Sequence, residues 1–241
     1  MELLDAIGEW HHDRATSMLY VATDGTPPPS NGLVAPVVQK LFAVEGTAAA
    51  PATSIRLSSL TLRHAAPTYM ENYTVPSGGD YSAHRGAAVL LQGTRNVTID
   101  HSLFDGVGGN GVALIDFNRG AKIVGNEMRH LGENGVILMG STNWVDGRNG
   151  EQPRFSEISG NLIHHLGLYT KQSAAIFSAV ACQNSILSNI LFHGPRALLN
   201  INDGFGGATT VHQNLFFASV LETSDHGPFN CWFVNAFKAK L

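Results

Sequence analysis

Apolar residues along this chain come in short runs broken by small polar ones, and the runs recur. Five segments align: VTIDHSLF (97–104), AKIVGNEM (121–128), SEISGNLI (156–163), NSILSNIL (184–191) and TTVHQNLF (209–216). In each, a β-branched residue is followed three positions later by a small polar one: Ile99/Ser102, Ile123/Asn126, Ile158/Asn161, Ile186/Asn189 and Val211/Asn214. Successive steps are 24, 35, 28 and 25 residues. An earlier segment, IRLSSLTL (55–62), fits the apolar pattern without the Asn. Short strands recurring at such intervals stack as coils of a solenoid, each adding about 4.8 Å along the axis. Asn at one repeated turn position forms an amide ladder between coils, and it tolerates the left-handed backbone that such turns need. The pattern predicts an all-β chain, a right-handed parallel β-helix. A β-sandwich with coincidental spacing is the alternative; the shorter period and Leu pattern of a leucine-rich repeat are absent.

The step of 35 contains an insertion, STNWVDGRNGEQPR (141–154), whose Gly, Asn, Asp and Pro predict a loop. Trp144 within it is placed to stack on a sugar ring or to pin the loop to the barrel. Near the N-terminus, GEWHHDRATSMLYVA has two strand-like pieces around a polar turn, Asp13 to Ser17, and TDGTPPPSNG reads as a loop. The expected organisation is a hairpin and leading segment over 1–50, coils over 51–230 and an atypical tail over 231–241.

Composition narrows the function classes. Charged residues are 14% of the 241, Gly numbers 26, and the apolar share of 44% allows a sizeable core. A net charge of −4 without a basic tract argues against nucleic acid as a partner. Cys182 and Cys231 make no disulfide framework, and neither CxxC nor a Cys/His metal spacing occurs, so no metal or other cofactor is expected. No apolar run reaches the length of a membrane span. MELLDAIGEW lacks the basic start and apolar core of a signal peptide, while Asn72 and Asn96 stand in glycosylation sequons. An extracellular or secretory location is the expectation if the chain belongs to a longer precursor.

Used as a ruler, the repeat brings Ala113, Ile137, Gln172, Asn200 and Asp225 to one column, fourteen residues after each reference position. The last three are polar, and Lys171, Arg196, Asn202, Asp203, Glu222 and His226 lie near them. In LLNINDGFGG (198–207), Leu199 and Ile201 alternate with Asn200 and Asn202, so the pair of Asn is expected on the outer, solvated face. Exposed Asp, Asn, Gln and Arg in a shallow groove suit a polysaccharide or oligosaccharide, whose hydroxyls both donate and accept. Glycoside hydrolysis needs two carboxyl groups flanking the bond, and ETSDHGPFN (222–230) with Asp203 offers Glu222, Asp225 and Asp203 for it. His226 is placed to tune a carboxyl or hold a hydroxyl, or to satisfy the DHGP turn. A lyase or epimerase acting on a uronate polymer is the second reading, with Tyr169, Lys171, Arg196 and His226 as base and carboxylate partners. A non-catalytic binding or structural solenoid is the third. His101, His130, His164, His165 and His193 recur after the strands and read as turn and packing residues.

GEWHHDRATSMLYV resembles the GEWxxDxxTGxLYY opening segment of many right-handed β-helix proteins of the pectate-lyase-like superfamily. TYMENYTVPSGGDY (68–81), YTKQSA (169–174), GPRALLNINDGFGG (194–207) and ETSDHGPFN (222–230) resemble a subgroup of right-handed parallel β-helix repeat proteins. The resemblance covers the chain nearly to Asn230 and implies a carbohydrate substrate, since related enzymes include glycoside hydrolases and polysaccharide lyases. It carries over Lys171, Gln172, Arg196, Asn202, Asp203, Glu222, Asp225, His226 and Asn230. The chain departs from the subgroup after Asn230, reading CWFVNAFKAKL where a continuation like SWDRQP is expected.

Overall fold

The computed structural model describes residues 4–27, 32–76, 81–142, 151–202 and 206–232. Residues 1–35 and 36–241 form two compact units. The first is a two-stranded antiparallel hairpin, Trp10–Asp13 with Met18–Val21. Its turn is built by Asp13, whose carboxylate accepts from the Ala15 N–H at 2.9 Å and the Thr16 hydroxyl at 2.7 Å. Ser17 closes it with a φ of 56°.

The second unit is a parallel β-helix. Three parallel sheets run its length. The first sheet includes Phe42–Glu45, Val89–Arg95, Val112–Arg119, Val136–Met139, Ile176–Ala179, Leu199–Ile201 and Phe229–Cys231. Its opening strand thus lies ahead of residue 51. The second sheet runs from Arg56–Ser58 to Thr210–His212, and the third from Thr61–Arg63 to Leu215–Phe217. In the second sheet the aligned Ile99, Ile123, Ile158, Ile186 and Val211 are direct cross-strand neighbours. Phe104, Met128, Ile163, Leu191 and Phe216 form the matching row in the third. Both rows point inward, where each fully buried aliphatic side chain stabilises the fold by about 1.5–3 kcal/mol.

The short strands of the second sheet end where the chain turns inward through a side-chain amide. Asn126 Oδ1 accepts from the Ser102 N–H at 3.0 Å, and Asn161, Asn189 and Asn214 repeat this bond on the coils that follow. Amide to amide, Asn126 donates to Asn161, Asn161 to Asn189 and Asn189 to Asn214, at 2.9–3.0 Å. The left-handed residue of each turn is the one before the amide: His101, Gly125, Gly160, Ser188 and Gln213, with φ between 49° and 65°. The expectation that Asn itself adopts this backbone is therefore corrected. Its place is the inward corner, where the chain needs a buried group that both donates and accepts. His101, His165 and His193 have φ near 50° and sit just past their strands as expected, whereas His130, with the same φ, and His164 lie within strands Glu127–Leu131 and Leu162–His164, so the turn reading is corrected for those two.

The central strands of the first sheet are buried on both faces. Val89, Leu91, Val112, Leu114, Val136, Leu138, Ile176 and Leu199 face the core. On its outer side Leu90, Ala113, Ile137 and Phe177 form a second apolar layer with Ala83 and Tyr81. Parallel strands covered on both faces read as continuous apolar runs, which is how VALI and VILM arise. The cover comes from an excursion between the third-sheet strand at Thr61–Arg63 and the first-sheet strand at Val89–Arg95. Within it, Tyr73–Thr74 pairs antiparallel with Ala83–His84. Tyr81 stacks on Phe177 with ring centroids 4.3 Å apart and donates its hydroxyl to Asn134 Oδ1 at 3.0 Å. Arg85 pairs with Asp116 at 2.6 Å and donates to the Gly140 carbonyl at 3.0 Å.

Candidate active site

The turns from the third sheet to the first carry most of the polar candidates. They differ in length, since Leu131 leads to Val136, His164 to Ile176, Phe192 to Leu199 and Phe217 to Phe229. The longer ones lie on one another. The Glu222 and Thr223 N–H groups donate to the Pro195 carbonyl at 3.2 and 3.1 Å, and the Val220 N–H donates to the Arg196 carbonyl. The last turn is thereby fixed over the one before it.

Two cation–carboxylate clusters result. Lys171 Nζ lies 3.0 Å from Glu222 Oε1 and 2.9 Å from Oε2. Arg196 Nη2 donates to Asp225 Oδ2 at 2.9 Å and lies 2.9 Å from His226 Nε2. A guanidinium has no acceptor, so Nε2 must accept this bond. The imidazole proton then sits on Nδ1, which donates to Asp225 Oδ1 at 3.0 Å. Arg196 and a neutral His226 thus grip both oxygens of Asp225, fixing the carboxylate while leaving its side chain 62% exposed. His226 adopts a φ of 78°, which turns its ring back onto its neighbour.

Behind these groups is a patch of buried amides. Asn230 Nδ2 donates to Asn200 Oδ1 at 2.9 Å. Asn200 Nδ2, Asn202 Nδ2 and Arg196 Nε are buried without a hydrogen-bond partner among the described residues. A buried donor left unpaired costs about 1–3 kcal/mol, and a ligand oxygen would satisfy it.

The ruler is corrected in part. Ala113, Ile137 and Asn200 do share an outward column, but its other members are Phe177 and Asn230, in place of Gln172 and Asp225. Both misses are five residues, because 177 − 172 and 230 − 225 equal five and the preceding turns are longer. Gln172 lies in the turn before Phe177. Asn200 and Asn202 are buried, at 0% and 2% exposure, so the expected solvated face is corrected too. Asp203 and Trp144 lie outside the described residues. Among the described residues no three His, Cys, Asp or Glu side chains converge as ligands to a metal would.

The sequence reading missed Glu133. This side chain is 1% exposed. Its Oε1 accepts from the Thr68 hydroxyl at 2.6 Å and the Tyr73 hydroxyl at 2.9 Å, while Oε2 has no partner among the described residues. Tyr73 in turn lies 3.0 Å from Thr170 Oγ1, next to Lys171. Burial pushes the Glu133 carboxyl above its ordinary range and the Tyr73 phenol up to about 12. The signal was a lone Glu between glycines in LGENGV, a turn too short to keep it in water.

A raised native pKa means that the folded state holds the proton more tightly than the unfolded one. Stability from Glu133 is then full below the unfolded carboxylate pKa and falls as pH rises through the native value. Glu133→Gln removes this titration. Denaturant unfolding from pH 4 to 8 should show a decline in the parent that the variant lacks; parallel profiles would mean Glu133 does not titrate differently in the two states.

No family model and no curated protein matches this chain. Among solved structures, one described as a glycoside hydrolase matches with a TM-score of 0.50 and 16% identity. The match covers 96% of this chain and 57% of the other, so the chain spans little more than half the length of that structure. At this identity the likeness shows the fold alone: the chain is a parallel β-helix protein.

Proposed function

We propose that the chain is a carbohydrate-active protein that hydrolyses glycosidic bonds, with Asp225 and Glu222 as its carboxylate pair. The observation that carries this is one turn presenting two carboxyl groups, each held by a cation from an earlier coil, beside buried amides with unused donors. Asp225, gripped through both oxygens, is held in a fixed orientation as the base or nucleophile. Glu222 is assigned the acid role: with Lys171 displaced by substrate it takes a proton from solvent and gives that proton to the leaving oxygen as the glycosidic bond breaks. Half-buried Asn230, backed by the buried Asn200, is the amide open to a sugar hydroxyl. The glycoside hydrolase neighbour shares the fold, and a β-helix suits an elongated substrate.

The lyase reading is weaker. Of its candidate bases and uronate partners, Lys171 and Arg196 are engaged by carboxylates and His226 by Arg196 and Asp225, which leaves Tyr169. Incubation with a panel of plant and algal polysaccharides separates the readings when reducing ends and ultraviolet absorbance are measured on the same samples. Hydrolysis gives reducing ends alone. Rising absorbance with them would replace hydrolase by lyase, and silence from a folded protein that binds glycan would leave a binding solenoid.

A further inference from the structure

The polar strip has a wall at one end. On the coils before Lys171, the turns from the third sheet to the first are roofed by the covering excursion. A Cβ on Gly108 would meet the Pro67 nitrogen at 2.6 Å, and one on Gly109 would meet Thr68 Oγ1 at 2.3 Å. One on Gly132 would meet the Gly108 carbonyl at 2.0 Å and the Tyr169 ring at 2.7 Å. The backbone is glycine there because another segment lies directly on it. The outer face of the first sheet is shut on the same coils: Leu90, Ala113, Ile137 and Phe177 are at most 3% exposed.

Where this roof stops, two tyrosines stand in the open. Tyr69 from the excursion and Tyr169 from the turn have ring centroids 5.4 Å apart, tilted by 41°, and are 49% and 52% exposed. Tyr169 is anchored by its N–H to the Gly132 carbonyl at 3.0 Å, two residues before Lys171. From Lys171 through Arg196 to Asp225 is two coil steps, about 10 Å. The strip begins at an aromatic surface. Exposed aromatic rings beside polar groups offer an apolar face to a sugar ring while its hydroxyls reach the polar side.

Resting on the hydrolase reading, we propose that the site is a dead-ended cleft that takes the end of a glycan chain, with Tyr69 and Tyr169 as its end wall. A polymer cannot pass through, because the excursion occupies its path toward the earlier coils. The class of substrate is therefore chain termini and short saccharides, and the mode of attack is from the end.

The test uses the purified chain, a panel of neutral and acidic polysaccharides, and methyl glycosides of their constituent sugars. Viscosity and product size are followed together, and binding of the methyl glycosides is read by saturation-transfer NMR. End attack predicts release of mono- or disaccharides with viscosity nearly unchanged. Methyl glycosides should bind and compete, and Tyr169→Ala should raise KM about tenfold and lengthen the products. A rapid fall in viscosity with a ladder of long fragments would overturn the dead end while leaving hydrolysis standing. Polymer binding that methyl glycosides do not compete would do the same. No turnover and no binding of any probe would overturn the hydrolase reading, and this inference with it.

Discussion

Asp225→Asn is expected to lower turnover by about 10³-fold or more, some 4 kcal/mol in the barrier, while leaving the fold intact. The carboxylate is held at its two oxygens by two different groups, Arg196 and the Nδ1–H of His226, whereas both oxygens of Glu222 meet the single ammonium of Lys171. An amide keeps the volume and can still accept from Arg196, but its NH2 then meets the His226 donor. The charge that stabilises a developing oxocarbenium ion is gone in either orientation. Stability should change little, because exposed ion pairs contribute about 0–1 kcal/mol and the Asp225 side chain is 62% exposed. Reducing-end release and a thermal melt on the same preparation decide it. Turnover near the parent level would take Asp225 out of the mechanism, and a large loss of stability would make the kinetic result uninformative about charge; Asp225→Glu then separates the two. Glu222→Gln should also slow turnover. Lys171 is then freed, so this variant should bind acidic saccharides more tightly than the parent does.

How far the sequence revealed this architecture depends on which sheet is considered. The second sheet was legible because its short strand, left-handed residue and inward amide compress into one motif, read directly as Ile123/Asn126 or Ile186/Asn189. The first sheet was not legible by that motif. Its strands are apolar on both sides, and their runs GVALI and GVILM carry no alternation to count. The cover that makes them so is a non-repeating excursion held by Tyr81 on Phe177 and by Glu133 under Thr68 and Tyr73. Nothing in local pattern says which surface such an excursion lies on.

The site shows the same division. Lys171, Arg196, Glu222, Asp225 and His226 were legible as one neighbourhood on the last coils, but the pairing of Lys171 with Glu222, two coils on, was not. The column drawn through Gln172 and Asp225 was not, because turns vary in length where function is carried while strands do not. Counting fourteen residues from Ile158 or Val211 crosses such a turn, and the error of five residues is the extra loop itself. Asn200 points outward as alternation requires, yet it is buried, since alternation gives the side of a sheet and not what covers it.

The amide ladder should be the most sensitive structural feature of the helix, and its middle should matter far more than its end. Asn161 Oδ1 accepts from the Asn126 N–H and Nδ2 at 3.0 Å, and its Nδ2 donates to Asn189 Oδ1 at 2.9 Å and to the Ile123 carbonyl at 2.8 Å. Asn161→Ala deletes all of these in a position 1% exposed, where no water replaces them. The Asn126 N–H is orphaned outright, and the Ile123 carbonyl and both neighbouring amides each lose a partner. At about 1–3 kcal/mol for each group stranded in the interior, a loss of roughly 3–5 kcal/mol is expected. Asn214 has the same role toward Asn189 and the Ile186 carbonyl, but it lies on the last described rung and is half-buried. Water can serve those partners, so Asn214→Ala should cost only about 1 kcal/mol. Urea midpoints of the two variants, compared with the parent under one set of conditions, measure the difference directly. Equal losses would mean that the Asn contribute through turn geometry alone, because geometry is shared along the column while burial is not.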